Sequence, residues 1–579
     1  MSPLQNSRAG IRFDDFELDL HSGELRKSGV KIKLQAQPFQ ILQALLERPG
    51  EVVTRDELQK RIWPSETFVD FEQGLNNAVQ RIRQALGDTV ETPRFVETLP
   101  RKGYRFIGAV ESKAPRIKSL AVLPLENLAR DPDGDYFAEG ITEALISTLA
   151  KIGELRVVSR TSVMQYKGVR KSLPEIAREL NVDGILEGTV QRVGGRLRIS
   201  AQLLHAPTDT HLWAENYDRD LRDVLALQSE VAQAIARGVK VKLTARERAN
   251  IEHVGSVDPH AYEAYLRGRY YWNRRAKEGF QKAVQHFQEA ISKDPGFAAP
   301  YAGLADCLSA LSLFGFLAPD DGLGKAKGLA LQAVELDPGL AEAHTSVAMV
   351  RMCYDFDFVA AEGEFERALE LNARYATAHS WFGHLLAALG RHEEAYTECQ
   401  RAIRLDPLSI PIRCVFGTAH FFARRVDQAV EQFQKALDLD ANYSWAYVLL
   451  SAGYLSNPNH DLAINAAQMA VQLSPASSLY LGDLAEAYAV SGQREKAQQI
   501  LDRLDELAKH QYVCPYFLAR TYVALGQQHK ALSWLETGFR ERSPLMLWIN
   551  SDFRLDPLRS EPRFQELIRR MNFQSASGH

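Results

Sequence analysis

Six polar side chains fall within nine residues of this chain: Asn76, Asn77, Gln80, Arg81, Arg83 and Gln84, in the stretch GLNNAVQRIRQALGD. Asn, Gln and Arg can pair with base edges, and arginine also neutralises phosphate. Between them Leu75, Val79, Ile82 and Leu86 recur at helical spacing, which buries one face and leaves the polar face outward. Gly87 is a helix stop. A strand-like TPRFVET, a turn at Pro100-Arg101-Lys102-Gly103 and a second strand, YRFIGAV, follow. The expectation is a helix beside a hairpin with a cationic tip, reading double-stranded DNA through Asn76, Asn77, Gln80, Arg81, Arg83, Gln84, Thr98, Arg101, Lys102 and Tyr104. Asn77, Gln80, Arg81 and Gln84 lie away from the Val79/Ile82 stripe and are favoured for base contact. Arg83 is assigned to phosphate or an internal carboxylate, and Arg101 and Lys102 to phosphate or the minor groove.

The chain has 579 residues, too many for one core, so several domains are expected. Its formal charge of -4 excludes a polycation that coats nucleic acid. Attraction must be local, and residues 73–110 carry six Arg/Lys against three Asp/Glu, roughly +3. Five scattered cysteines (Cys307, Cys353, Cys399, Cys414, Cys514) show no CxxC pairing and fit reduced, structural thiols. No apolar signal core opens the chain, and its longest apolar run, LSALSLFGFLAP, is too short to span a bilayer. A cytoplasmic, unanchored protein is expected.

Short alternating stretches at the start (IRFDDFELDL, GELRKSG, VKIKL) predict a small antiparallel sheet. A helix follows in QAQPFQILQALLERPG, and Thr54 with Glu57 forms a capping box for another in TRDELQKRIW. Sheet, three helices and terminal hairpin resemble the OmpR/PhoB-type winged helix-turn-helix domain over residues 11–110. The landmarks are LQAQPFQILQALLERPGEVVTRDELQKRIW, LNNAVQRIRQALGD and TLPRKGYRF. The resemblance implies residues 73–86 in the major groove, the Arg101–Tyr104 turn on backbone or minor groove, pairing of two readers on direct repeats, and a loop at 64–72 that touches RNA polymerase. Residues 1–10 are read as a flexible terminus. No receiver-like series of strands accompanies the reader, so activation by aspartyl phosphorylation is not expected. CadC-like relatives carry a membrane helix after the reader; here the join, with its linker at 111–116, is polar and short.

Residues 117–245 read as a small α/β module: a strand in LAVLPLENL, a helix in YFAEGITEALISTLAKI, a short strand in LRVVSR, a helix from Pro174, three antiparallel strands between Gly184 and Arg219, and a closing helix. These landmarks, with ARELNVDGILEGTV and LWAENYDRDL, resemble the N-terminal-like domain of TolB, a resemblance that implies no settled chemistry. Asp131, Asp133, Asp135 and Glu139 cluster without the twelve-residue calcium pattern and read as helix caps. Ser159, Arg160 and Ser162 could hold an anion at a helix start. His205 and His211 read as surface residues. Without a nucleophile elbow, phosphate-cradling glycine loop or metal triad, no enzyme, metal or cofactor is expected.

After a linker at 246–257, Leu371-Asn372, Leu405-Asp406, Leu439-Asp440 and Leu473-Ser474 recur at 34-residue intervals. That period, with small residues at Gly383, Gly417, Ala395 and Ala402, resembles the tetratricopeptide repeat. About eight copies are expected within 258–545, with an insertion around Phe314–Gly324 and a capping helix in 546–579. Candidate ligand contacts on the inner face are Tyr262, Tyr265, Arg269, His379, His384 and Tyr447.

The expected architecture is multidomain, α+β and all-α: winged helix, small α/β module and TPR α-solenoid. The expected function is that of a bacterial one-component, sequence-specific DNA-binding transcriptional regulator whose repeats sense a protein, peptide or other ligand. The rival reading is a TPR scaffold whose winged helix docks proteins.

Overall fold

The computed structural model describes residues 10–19, 22–62, 71–111, 117–128, 134–193, 195–239, 241, 243–252, 257–457, 459–475 and 477–573. The chain divides into two compact units, Met1–Arg116 and Ile117–His579.

In the first unit, strands β1 (Gly10–Phe13), β2 (Phe16–Asp19), β3 (Glu24–Lys27) and β4 (Val30–Ile32) run as an antiparallel meander. Helices α1 (Ala36–Glu47), α2 (Arg55–Ile62) and α3 (Phe71–Leu86) follow, with the short strand β5 (Val52–Thr54) before α2. The expected capping box is present: the Thr54 amide donates to Glu57 Oε2 at 2.8 Å and the Glu57 amide to Thr54 Oγ1 at 3.3 Å. Strands β6 (Val96–Leu99) and β7 (Gly103–Phe106) form the hairpin, and β8 (Val110–Glu111) returns to β1. The wing is not two-stranded as expected. Strand β5 joins it in the order β5-β7-β6, because the chain leaving α1 runs extended beside β7. Gly103 permits that approach, since an added Cβ would lie 2.1 Å from the Val53 carbonyl oxygen. Apolar residues of α1 and α3 meet Phe13, Phe95 and Phe106 in one core.

The second unit opens with β9 (Ser119–Val122), β10 (Glu126–Asn127), α4 (Gly134–Ala150), β11 (Arg156–Val157), α5 (Arg160–Met164) and α6 (Leu173–Leu180). The long strands β12 (Gly184–Val193), β13 (Arg196–His205) and β14 (Thr210–Asp220) precede α7 (Val224–Gly238). The sheet order β11-β9-β12-β13-β14 is parallel on one side and antiparallel on the other. Residues 246–252, expected within a linker, belong to α8 (Ala245–Glu252), which packs on α7.

Eight helix pairs then stack. They are α9/α10 (Pro259–Trp272, Lys277–Lys293), α11/α12 (Ala298–Leu313, Lys325–Leu336), α13/α14 (Ala341–Val350, Phe358–Leu371) and α15/α16 (Ala376–Ala388, His392–Leu405). Then come α17/α18 (Ile410–Phe422, Val426–Leu439), α19/α20 (Ser444–Ser456, His460–Leu473), α21/α22 (Ser478–Val490, Arg494–Leu507) and α23/α24 (Pro515–Ala524, Gln528–Arg540). First helices at Ala376, Ile410, Ser444 and Ser478 keep the 34-residue period. Small residues stand where helices cross: a Cβ on Gly417 would meet the Phe433 ring at 2.3 Å. Helix α25 (Pro562–Arg570) caps the stack.

Two further contacts shape this unit. The α/β module packs on the first repeats, where the Tyr136 hydroxyl donates to Glu263 Oε1 at 2.6 Å and Arg269 Nε to Glu143 Oε1 at 2.9 Å. The third pair also touches the end of the array: Phe356 stacks on Phe539 at 6.2 Å, and Arg542 Nη1 donates to the Tyr354 carbonyl at 3.0 Å. Among the described residues no helix is long and apolar enough to cross a membrane.

Candidate nucleic-acid interface

Helix α3 separates its residues as the spacing required. Leu75, Ala78, Val79, Ile82 and Leu86 are buried. Asn76, Asn77, Gln80, Arg81 and Gln84 are exposed in one stripe, each three or four residues from the next along the face.

Two supports hold that stripe against the wing. Arg83 is 8% exposed and donates through Nη2 to the Val96 carbonyl at 2.8 Å and Thr98 Oγ1 at 2.7 Å. Tyr104, 2% exposed, donates its hydroxyl to Asn76 Oδ1 at 2.7 Å. These three residues correct the sequence expectation. Arg83 and Tyr104 point inward, and the half-buried Thr98 accepts from Arg83 through its hydroxyl. Arg83 sits between the apolar stripe and the hairpin, where its guanidinium satisfies a backbone carbonyl that the three-stranded sheet leaves open.

Two contributors escaped the sequence reading. Arg55, at the start of α2, reaches Glu72 at 2.5 Å, the Tyr104 hydroxyl at 3.2 Å and Asn76 Oδ1 at 3.4 Å, with its guanidinium over the Tyr104 ring. Burial raises the Tyr104 pKa against the pull of Arg55, keeping the phenol protonated as a donor. Asp88, just after α3, accepts from the amides of Thr89 (3.0 Å), Arg94 (2.7 Å), Phe95 (3.1 Å) and Val96 (2.8 Å). Partial burial works to raise the Asp88 pKa, and the four backbone donors overcome it, so the carboxyl titrates below its ordinary value. An aspartate after a glycine was the available signal, but its four partners follow only from the loop's path.

At the tip, the Lys102 amide donates to the Leu99 carbonyl at 3.0 Å and Arg101 has φ 63°. Proline second and a positive φ third mark a type II turn, whose third place normally takes glycine. Arg101 and Lys102 are both exposed. Other cations nearby are neutralised: Arg94 by Asp14 at 2.8 Å and Arg105 by Glu97 at 2.6 Å. Among the described residues the stripe and tip therefore offer Arg81, Arg101 and Lys102 as cations beside the amides Asn77, Gln80 and Gln84. The loop expected to meet RNA polymerase falls mostly at 63–70, outside the described residues.

In the α/β module, Asp135 and Glu139 both bind Lys167 at 2.9 Å, and Glu139 also takes Arg160 at 2.6 Å. Asp131 and Asp133 lie outside the described residues. The anion anticipated at Ser159–Ser162 is supplied by the chain itself: Ser162 Oγ lies 3.5 Å from Asp406 Oδ1 of the array. Among the described residues no group of three or more His, Cys, Asp or Glu is placed to hold a metal.

The inner-face candidates divide. His379 is buried, with Nδ1 2.5 Å from Glu398 and Nε2 3.1 Å from the Ala373 carbonyl, and the Tyr447 hydroxyl donates to the Ala441 carbonyl at 3.2 Å. Tyr262 is buried against Gln228, and Arg269 is held by Glu143. These four are packing residues or latches, because each polar group is met from within. Tyr262, Tyr265, Arg269 and His384 line a cavity of ≈ 520 Å³ between module and array. His384 stands edge-on to Trp381 and Trp548, and burial drives its pKa down to about 3.

Comparison with known proteins bears on both ends. The family "Transcriptional regulatory protein, C terminal" matches residues 29–106, and "Tetratricopeptide repeat" matches 357–410 and 414–478. The N-terminal domain is an OmpR/PhoB-type winged helix, and the C-terminal helices form a tetratricopeptide array. The chain is 32% identical over 347 residues (59% of it, 56% of the relative) to a Rhizobium meliloti (strain 1021) protein named "Putative adenylate cyclase 3". It is 25% identical over 412 residues (70% of it, 72% of the relative) to "Transcriptional regulator HilA" of Salmonella typhimurium. It is 30% identical over 155 residues (26% of it, 53% of the relative) to the "Cholera toxin homolog transcriptional activator" of Vibrio parahaemolyticus. The chain thus spans little more than half the length of the first and third of these. Together the domain and its regulator relatives support a DNA-binding transcriptional regulator.

Proposed function

We propose that the chain is a one-component regulator that recognises promoter DNA through α3 and the wing, with the module-capped array receiving the signal. The exposed stripe Asn77, Gln80, Arg81 and Gln84 beside the cationic tip Arg101-Lys102 carries this reading. A 16-residue helix is about 24 Å long and fits a major groove about 12 Å wide. The stripe reads base edges, and the tip lies on phosphate or in the minor groove. Asn76 positions the stripe through Tyr104 and Arg55. Two readers pair on tandem sites, and RNA polymerase meets the same domain.

Control follows from linkage: a molecule that binds one arrangement of the array better shifts promoter occupancy by that difference. Salt-dependent binding to the chain's own upstream region tests the reading. The expected result is a discrete footprint whose affinity falls steeply with salt. A flat salt response with no footprint would sink it.

A further inference from the structure

Among the described residues, six helix pairs have a positive φ two places before the second helix: Arg275 (50°), Phe356 (54°), Gly390 (79°), Arg424 (60°), Gly492 (77°) and Gly526 (75°). Glycine is the residue for that place, since it adopts the left-handed region without a Cβ clash. At three pairs the chain carries a strained side chain instead. Two of these explain themselves. Phe356 stacks on Phe539, and Arg424 binds Asp556 at 2.6 Å with its guanidinium over Phe553. They tie the third and fifth pairs to the end of the array.

Arg275 has no such partner. Among the described residues its guanidinium makes no hydrogen bond or ion pair and only lies over Trp272, 4.2 Å from the ring centre. It lines the ≈ 520 Å³ cavity and is exposed there, yet the surrounding walls pull its pKa below the ordinary arginine value by burial. Asp306 and Asp406 line the same cavity and act on Arg275 by charge without touching it, while Asp306 accepts from Ser346 at 2.6 Å and Asp406 faces Ser162. Beside Arg275 runs an aromatic wall. Trp272 meets Phe280 at 5.3 Å, Phe280 stacks on Phe314 at 6.2 Å, and Phe314 meets Trp445 edge-on at 5.9 Å. The cavity lies within the range of small-molecule sites, about 300–1,000 Å³. Helix α4 covers the groove over the first pair, which limits the size of an occupant.

We propose that Arg275 and the wall Trp272–Phe280–Phe314–Trp445 form a binding site for a small organic anion with a flat apolar body. Arg275 takes the anionic group and the rings take the body. The site gives the sensing half of the regulator reading its ligand class. It rests on that reading for its purpose, not for its geometry.

The test is a fluorescence titration of the full chain, without DNA, with 8-anilinonaphthalene-1-sulfonate, an aromatic anion. N-phenyl-1-naphthylamine, the same body without the sulfonate, serves as the comparison. Saturable sulfonate binding at one site is expected, weakened tenfold or more by Arg275→Gly, with the neutral dye unchanged within twofold. Glycine suits the backbone there, so the variant should melt no lower than the parent. Arg275→Asn, also tolerant of a positive φ, should repeat the result. Arg424→Gly should lower the melting temperature and leave the dye affinity alone. Sulfonate binding within threefold of the parent in both Arg275 variants overturns the proposal. So does equal weakening of both dyes, or no saturable binding by the parent. Because DNA is absent, failure here leaves the regulator reading intact, and failure to bind a promoter leaves this site intact.

Discussion

The Arg83 guanidinium donates to the Thr98 hydroxyl at 2.7 Å, so two residues of apparent DNA-reading type hold one another inside the domain. Arg83→Ala would leave the Val96 carbonyl and the Thr98 hydroxyl without their donor, a loss of about 1–3 kcal/mol. Stability should fall by that order while preference among base sequences, measured on the folded fraction, stays constant. A changed base preference would return Arg83 to the interface.

Arg81 and Lys102 should behave differently from Arg83 and from each other. Arg81→Ala is expected to cost about 1–3 kcal/mol of operator binding and to relax preference at one base pair. Lys102→Ala should weaken all sequences alike and reduce the slope of log affinity against log salt by about 0.9. Anisotropy titrations over a salt series, on matched and single-mismatch duplexes, separate the two outcomes.

Arg101 carries a test in which stability and binding move in opposite directions. Its positive φ is strained for any side chain, so Arg101→Gly should stabilise the winged helix by up to about 1 kcal/mol. The same change removes a cation from the wing and should weaken DNA binding several-fold. Parallel melts and binding curves decide; a variant that loses both stability and affinity contradicts the turn geometry.

Asp88 sets an acid limit. Its folded pKa lies below the unfolded value of about 3.9, so its contribution is fully present above that value and is lost as pH falls through the folded pKa. Asp88→Asn should therefore unfold at a higher pH-independent baseline of instability and show a shallower decline below about pH 4. Circular dichroism across pH 2–7 checks this; superimposable acid profiles would remove Asp88 from that role.

Glu143 latches the α/β module to the array through Arg269 and Asn273, the latter at 3.1 Å. Burial alone would raise its pKa, but Arg269 and Arg160 hold it below the ordinary value, so it stays ionised. Glu143→Ala leaves the half-buried Arg269 without its carboxylate, a loss of about 1–3 kcal/mol for a charge-assisted bond. Limited proteolysis should then cut between module and repeats at protease levels that spare the parent.

What could be read from the sequence was whatever repeats over short distances. The polar stripe of α3 follows from a 3.6-residue period, and the array follows from Leu371, Leu405, Leu439 and Leu473. Arg83 was misplaced because a period assigns a face but not the reach of a long side chain. Strand β5 was missed because three residues carry too little pattern to announce a strand. Arg55 and Asp88 act through partners that only the fold assembles, and the Glu143–Arg269 latch joins residues 126 apart in sequence. Local periodicity cannot contain such pairs.

The contact of Phe356 and Tyr354 with Phe539 and Arg542 has a mechanical consequence. An open solenoid stretches like a spring, and its end repeats can peel away one at a time. Here the third pair is bolted to the last, so the span between them behaves as a hoop. Fraying at the C-terminal end must break this clasp as well as the tie from Arg424 to Asp556, and a pull on that end is felt five repeats away.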